Sequence, residues 1–427
     1  MEALTSISAS HSLCCMTGTN WAGNVVFGAR RQARPTSIAE LQAVVAGSDR
    51  VRALGSGHSF NRIADTDGTQ VTAAGLPREI EIDTSQRRVR ASAGLTYAQL
   101  APHLEDAGLA LPNLGSLPHV SLAGACATGT HGSGNGNGNL ATAVSAIEMV
   151  TASGEVVELT RADDGFDGAV VALGCLGIAT RMTLDLVASF AVVQNVFERL
   201  ADESLDVHFE EIFAGGYSVS VFTDFRTNRL WCKRLATDPR PGERMFGATA
   251  ALEQRNPVPG MSAANSTTQL GVPGPWHERL PHFRPEFTPS SGAELQSEYL
   301  LPRTHAVAAV REVRALRERV APLLQIAEIR TVAADALWLS PSYLRETVGL
   351  HFTWVDDPAA VAAVVQAIEQ RLAPFRPRPH WGKVFGLPPA VVEAEYGRMP
   401  AFRELVRQYD PQGKFRNAFV DEYLGLA

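Results

Sequence analysis

VRALGSGHSFN, residues Val51 to Asn61, sets a short apolar strand, Val51 to Leu54, directly against a glycine turn, Gly55 to Asn61. A turn of this kind exposes successive backbone N–H groups, and its glycines let them approach an anion such as a pyrophosphate. It is neither of the common nucleotide loops, because no G-K-[ST] follows and the third glycine of G-x-G-x-x-G is missing. For these seven residues alone, a tight turn with an exposed histidine is the plainer alternative.

Outward from this turn the chain alternates short helices and strands. Upstream, Ser37 with Glu40 predicts a capping box that opens a helix with apolar positions at Ile38, Leu41, Val44 and Val45, ended by Gly47. Downstream, Glu79 to Asp83 and Val89 to Gly94 alternate as strands do, and Thr96 to Ala107 reads as a helix closed by Gly108. From Leu111 to Leu140 run thirty residues dominated by Gly, Ser, Thr, Ala and Asn, without helical or strand periodicity. So long a stretch is uncommon in a compact domain unless it is functional. Leu117, Val120, Leu122 and two prolines make it read as packed rather than as a free linker. A hairpin follows from Ala146 to Leu159, turning at Ala152 to Gly154.

Around Phe190 a second α+β unit begins, with strands at Tyr217 to Phe222 and Arg229 to Lys233. Residues 237–290 are rich in proline and glycine yet carry Trp276, Phe283 and Phe287, as an ordered irregular segment over a core would. Helices at Thr304 to Val320 and Ala359 to Leu372 flank strands at Gln325 to Thr331 and Leu350 to Trp354. On the first of these strands the period of two puts Glu328 and Arg330 on one face, opposite Ala327 and Ile329. On the second, His351 and Thr353 share a face opposite Phe352 and Trp354. A solvated strand face is the ordinary explanation. The apolar opposite faces and the nearby HWGK, His380 to Lys383, favour a polar pocket instead.

The 427 residues correspond to roughly two to three domains. With 45% hydrophobic and 19% charged residues the chain can bury a large core and is expected to fold as a soluble protein. A net charge of -7 lacks the basic footprint of a phosphate-backbone binder, which excludes nucleic acid as the expected partner. Five cysteines, Cys14, Cys15, Cys126, Cys175 and Cys232, form neither a disulfide framework nor a metal pair. The eleven histidines are scattered, with no H-E-x-x-H, so no metal site is expected, and no G-x-S-x-G elbow marks a serine hydrolase. No basic n-region precedes an apolar core, and no apolar run reaches about twenty residues, so a reducing cytoplasm and no membrane partner are expected. Met16 stands directly before TGTNWAGN, where the pattern begins, and residues 1–15 read as a disordered extension or an upstream start.

Together these residues resemble the vanillyl-alcohol-oxidase type of FAD flavoprotein, and within it the alditol oxidases. The resemblance spans about Thr19 to Val420. It is carried by TNWAGN, GSGHSFN, LPHVSLAG with ATGTHGSG, EIRTVAADALWLSP, HFTWV, RPRPHWGKVF, GKFRNAFV and above all the block from Val258 to Leu300. It implies an α+β fold with a bipartite FAD-binding domain, residues 16–189 plus 384–427, and an α+β substrate-binding cap, 190–383. By the same resemblance FAD is the cofactor, joined covalently to His58; attachment through a ring nitrogen withdraws electron density and should raise the flavin potential.

Gly55, Ser56, Gly57, His58 and Ser59 are implied as pyrophosphate neighbours. Ser121, Gly124, Ala125, Cys126, Ala127 and Thr128 are implied as further flavin contacts, with Ile178, His380 and Ser116 beside the ring. Ser116, Glu328, Arg330, Thr353 and Lys383 match residues that surround a polyol such as xylitol or sorbitol, with O2 as the second substrate. Arg330 stays charged and would stabilise an alkoxide. Lys383 would be a second stabiliser or the base, and His351 is the runner-up base. Gly115 stands where the family often has Ala, and a small residue there implies a path for oxygen. No residue signals an interface, so a monomer is the default.

Overall fold

The computed structural model describes residues 18–287 and 293–426. The expectation for residues 1–15 lies outside the described residues. Three sheets organise the chain. A parallel three-stranded sheet runs Arg31–Ala33, Thr69–Val71, Val51–Ala53, with helix Ile38–Ala46 crossing between its outer strands. Ser37 caps this helix by accepting from the Glu40 backbone N–H, but the Glu40 carboxylate turns to Thr36, so the box predicted there is half formed. The reciprocal box occurs at Thr96 and Gln99, opening helix Tyr97–Asp106. An antiparallel five-stranded sheet follows, in the order Ile80–Asp83, Arg88–Ser92, Ile178–Asp185, Val144–Val150, Val156–Thr160.

The ten-stranded antiparallel sheet is built from residues 191–379. At its centre lie strands Ser218–Thr223, Leu324–Val332, Thr347–Val355 and Glu294–Pro302, in that order. Phe352, Trp354, Ala327 and Ile329 are buried in one cluster with Val310, Val313, Val365 and Ile368 of helices Ala306–Ala315 and Pro358–Leu372. Burying each large apolar side chain there contributes roughly 1.5–3 kcal/mol, which holds the opposite face of the same strands in place. The helix predicted from Thr304 to Val320 is interrupted at Leu316, where the backbone leaves helical geometry between Ala306–Ala315 and Arg317–Val320. Between Leu111 and Leu140 the chain is irregular except for the six-residue helix Leu122–Ala127, a short element that the small residues did not announce.

The C-terminal segment returns to the first sheet. Phe415 packs with Leu41, Val45 and Val51. The Val51 N–H donates to Lys414 O at 2.8 Å, and Asn417 Nδ2 donates to the carbonyls of Arg62, Ile63 and Asp65. The fold is therefore α+β, with a bipartite unit made from both ends of the chain around the large sheet. Among the described residues no helix is long and apolar enough to cross a membrane.

Arg52 fastens this return. Its buried guanidinium donates to Phe415 O at 2.6 Å, Leu173 O at 2.8 Å, Gly174 O at 3.3 Å and Ile63 O. Replacing it strands several buried carbonyls, so Arg52→Met should destabilise the protein by about 3 kcal/mol. Thermal unfolding followed by tryptophan fluorescence checks this; a melting temperature equal to wild type would show the carbonyls satisfied elsewhere.

Candidate active site

A cavity of about 500 Å³ lies where the three sheets meet. The GSGHSFN turn forms part of its wall, and Gly57 makes the turn at φ +74°, a conformation that suits a residue without a side chain. TNWAGN backs the turn. The Trp21 N–H donates to Gly57 O at 2.8 Å, Asn20 Nδ2 to Ser59 O and Asn24 Nδ2 to Phe60 O, each at 2.9 Å. The Trp21 ring stacks on His58 with centroids 5.1 Å apart. His58 faces the cavity, and both its ring nitrogens are buried without a hydrogen-bond partner. Burial, with the neighbouring His119, lowers its pKa to about 4, so the ring is neutral at pH 7.

Across the cavity wall, Gly55 and Gly124 approach closely. A Cβ on either would lie 2.7 Å from Ser121 Oγ, a buried hydroxyl with no partner of its own. Ser56, Ser59, Ser116, Ala125, Ala127, Thr128, Ile178 and His380 also line the space. Cys126 does not. Its side chain points to the Tyr97 hydroxyl, 3.7 Å away, because on a helix of six residues only one face can meet the cavity. The Cys126 side chain therefore packs away from the cavity.

The polar half of the cavity is carried by the large sheet. Strand pairing sets Glu298, His351 and Glu328 in one cross-strand row. Glu328, Arg330, His351, Thr353 and Lys383 all line the cavity. Glu298, which the sequence reading passed over, is the hub. Its Oε1 accepts from Arg330 Nη2 at 2.8 Å and Nε at 3.1 Å, and its Oε2 accepts from Lys383 Nζ at 2.7 Å. His131 Nε2 stands 3.3 Å from Oε1. Glu298 belongs to the alternation Glu294, Gln296, Glu298, so the period of two that found Glu328 was available to find it as well. His131, inside the aperiodic glycine stretch, offered no such signal.

The loop bearing Lys383 is held by the glycine turn itself. Asn61 Nδ2 donates to the carbonyls of Trp381 and Lys383, both at 2.8 Å, and the Phe60 N–H donates to Gly382 O at 2.7 Å. From there Lys383 Nζ reaches His351 Nδ1 at 2.7 Å, while His351 Nε2 lies 3.2 Å from Thr353 Oγ1. Arg330 Nη1 is 3.5 Å from both Ser116 Oγ and Glu328 Oε2.

The charges follow from these contacts. Burial would raise the Glu298 carboxyl, but Arg330, Lys383 and His131 hold it well below its ordinary value. Glu328 is likewise held low against burial by Arg330, His282 and His351. Burial and then Arg330 lower Lys383, against the pull of Glu298. Burial and Lys383 keep His351 neutral.

Comparison with known proteins gives this geometry a family. Residues 29–160 match the family described as FAD binding domain, and residues 293–423 match that described as D-arabinono-1,4-lactone oxidase. Alditol oxidase from a Streptomyces species is 52% identical over 413 residues, covering 95% of this chain and 98% of that protein. The chain belongs to the alditol oxidase family. L-gulono-1,4-lactone dehydrogenase from Mycobacterium tuberculosis is a more distant relative, 31% identical over 95% of this chain and 99% of that one. Cholesterol oxidase from B. sterolicum shares the fold, with a TM-score of 0.76 over 95% of this chain and 96% of that one at 14% identity.

As expected of a member of this family, the cavity suits FAD. The unpartnered nitrogens of His58, the unpartnered Ser121 hydroxyl and the cleft that a Cβ on Gly55 or Gly124 would fill are features that a bound dinucleotide satisfies.

Besides His58, three buried rings make the site acid-sensitive. His282 is lowered to about 4 by burial, then by Lys233, and His351 and His380 are lowered well below their ordinary value by burial, then by Lys383. Each stays neutral when folded but takes up a proton when unfolded, so its contribution is complete above about pH 6.5 and is lost as pH falls. Stability should decline between pH 6.5 and 4 by up to about 1.4 kcal/mol per pH unit for each ring. Thermal scans across this window check the slope, and a flat profile would show these rings protonated in the folded state.

Proposed function

We propose that this chain is an FAD-dependent alditol oxidase. It takes the terminal CH₂OH of a polyol such as xylitol or sorbitol to the aldose, reduces O2 to H2O2, and carries its FAD on a covalent bond to His58. The observation that supports this best is that Glu328, Arg330, His351, Thr353 and Lys383 line the same cavity as the glycine turn and His58.

A polyol presents a row of hydroxyls, each donor and acceptor, and needs fixed partners of both kinds. Glu328 accepts, Arg330 donates in a fork, and Ser116 and Thr353 do either. Bound FAD supplies the acceptor for the hydride that leaves the terminal carbon. The chain's own residues must then receive the hydroxyl proton. Arg330 is permanently charged, so it stabilises the developing alkoxide and takes no proton. His351 is neutral, and its Nδ1 faces the Lys383 amine. That leaves the ring proton on Nε2, directed at Thr353, so His351 has no free lone pair for a substrate hydroxyl.

Lys383 is the better base. Two of its tetrahedral directions go to Glu298 and His351, and the remaining one is available to a hydroxyl in the cavity it lines. Burial and Arg330 lower its pKa toward that role, and Glu298 stands ready to stabilise the ammonium that forms. At Gly115 a Cβ would find nothing nearer than His131 O at 3.7 Å, space that supports an oxidase. The reading includes a monomer in the cytoplasm, and the free, buried thiols of Cys126, Cys175 and Cys232 suit a reducing compartment.

Anaerobic addition of xylitol should bleach the flavin band of the purified protein. A chain that ignores polyols but is bleached by a sugar lactone would instead be a lactone oxidase or dehydrogenase, the reading favoured by the match of residues 293–423. Lys383→Met should slow flavin reduction by at least ~10², the scale of removing one preorganised group; a wild-type rate would remove Lys383 from the chemistry. His58→Ala should release its flavin on denaturation, and flavin still migrating with the denatured variant would place the bond elsewhere.

A further inference from the structure

Lys233 has no part in the chemistry just described, yet it is buried at 1% exposure beside the site. It lies on strand Asn228–Leu235, between Gln194 and Ser218 of the neighbouring strands. Its Nζ donates to Leu280 O and stands 3.4 Å from His282 Nδ1. The His282 ring meets Phe222 and Trp231 edge to face, with centroids 5.0 and 6.5 Å away, and its Nε2 lies 3.3 Å from Glu328 Oε1. The His282 backbone N–H donates to Ser116 O, tying the same residue to the cavity wall.

The order of donors is set by chemistry. When Lys233 is protonated its ammonium only donates, so His282 Nδ1 accepts and the ring proton sits on Nε2, facing the Glu328 carboxylate. That proton then faces Glu328 Oε1, a buried oxygen 3.3 Å away with no other hydrogen-bond partner, while Oε2 remains near Arg330 on the cavity side. The other tautomer would set a lone pair against Oε1 and loosen the carboxylate. The titratable groups that face this chain are Glu328, Arg330 and His351.

We propose that Lys233, acting through His282, is a positioning residue for Glu328, and that it sets how tightly the site holds a polyol rather than how fast the bound polyol reacts. Burial lowers Lys233 to about 7 and His282 to about 4, consistent with a neutral ring between a donor and a carboxylate. The inference rests on the polyol reading of the site.

Anaerobic reduction of the holoenzyme by a series of xylitol concentrations separates binding from chemistry. Lys233→Met should raise the half-saturating concentration roughly tenfold and change the limiting rate by less than about threefold, the loss of one hydrogen bond to a charged group. In a Glu328→Gln background the same substitution should add nothing, because the two residues act as one unit. Independent, multiplying effects, or a lowered limiting rate at unchanged half-saturation, would overturn the proposal. If Lys233→Met does not fold, His282→Phe, which keeps the aromatic packing, should show the same rise and the same non-additivity. A wild-type flavin that xylitol never reduces would overturn the polyol reading and this inference with it. A wild-type flavin that xylitol reduces, with both variants unchanged, would overturn this inference alone.

Discussion

Glu298 is the group on which the arrangement of the site depends. One buried carboxylate receives Arg330 on one oxygen and Lys383 on the other, from the next strand but one of its own sheet and from the loop after the sheet's last strand. Leaving either cation unpaired in so dry a place would cost several kcal/mol, so removing any one of the three residues leaves a buried charge uncompensated. The pairing also decides what the cations can do. Arg330 is carried above its ordinary pKa by Glu298 and Glu328 against the cost of burial, whereas Lys383, beside another cation, is pushed down. Two positive groups sharing one carboxylate thereby acquire different roles.

The apolar side of the sheet makes this possible. Phe352 and Trp354 alternate with His351 and Thr353, so every contact that fixes the buried aromatics under the helices also fixes a polar neighbour in the cavity. At Gly349, opposite Arg330, a Cβ would come within 3.2 Å of Glu298 Oε1, so the ion pair sits tightly against a position without a side chain. The glycine turn contributes at long range as well. Through Asn61 and Phe60 it holds the HWGK loop, so the segment expected to meet the cofactor also sets the position of Lys383. Altering the turn would therefore disturb both halves of the site.

Much of this is legible in the sequence. The glycine turn after Val51 to Leu54, the α+β alternation, the two polar strand faces and the HWGK segment all follow from local rules of period and turn chemistry, which act over a few residues. The capping box at Ser37 shows the limit of those rules. Its spacing was right, but Glu40 found a nearer partner in Thr36. Cys126 shows another limit, since a motif position does not say which way a side chain turns on a short helix.

The sequence by itself determined which residue types face the same way along each strand, because a pleated strand alternates its side chains whatever it pairs with. Only the tertiary structure decided that Glu298, His351 and Glu328 form one row, that Asn61 reaches Lys383 across 322 residues, and that Lys233 stands behind His282. Strand order and register are set by packing among distant segments, and buried charges choose partners by geometry in three dimensions. No period along the chain records either.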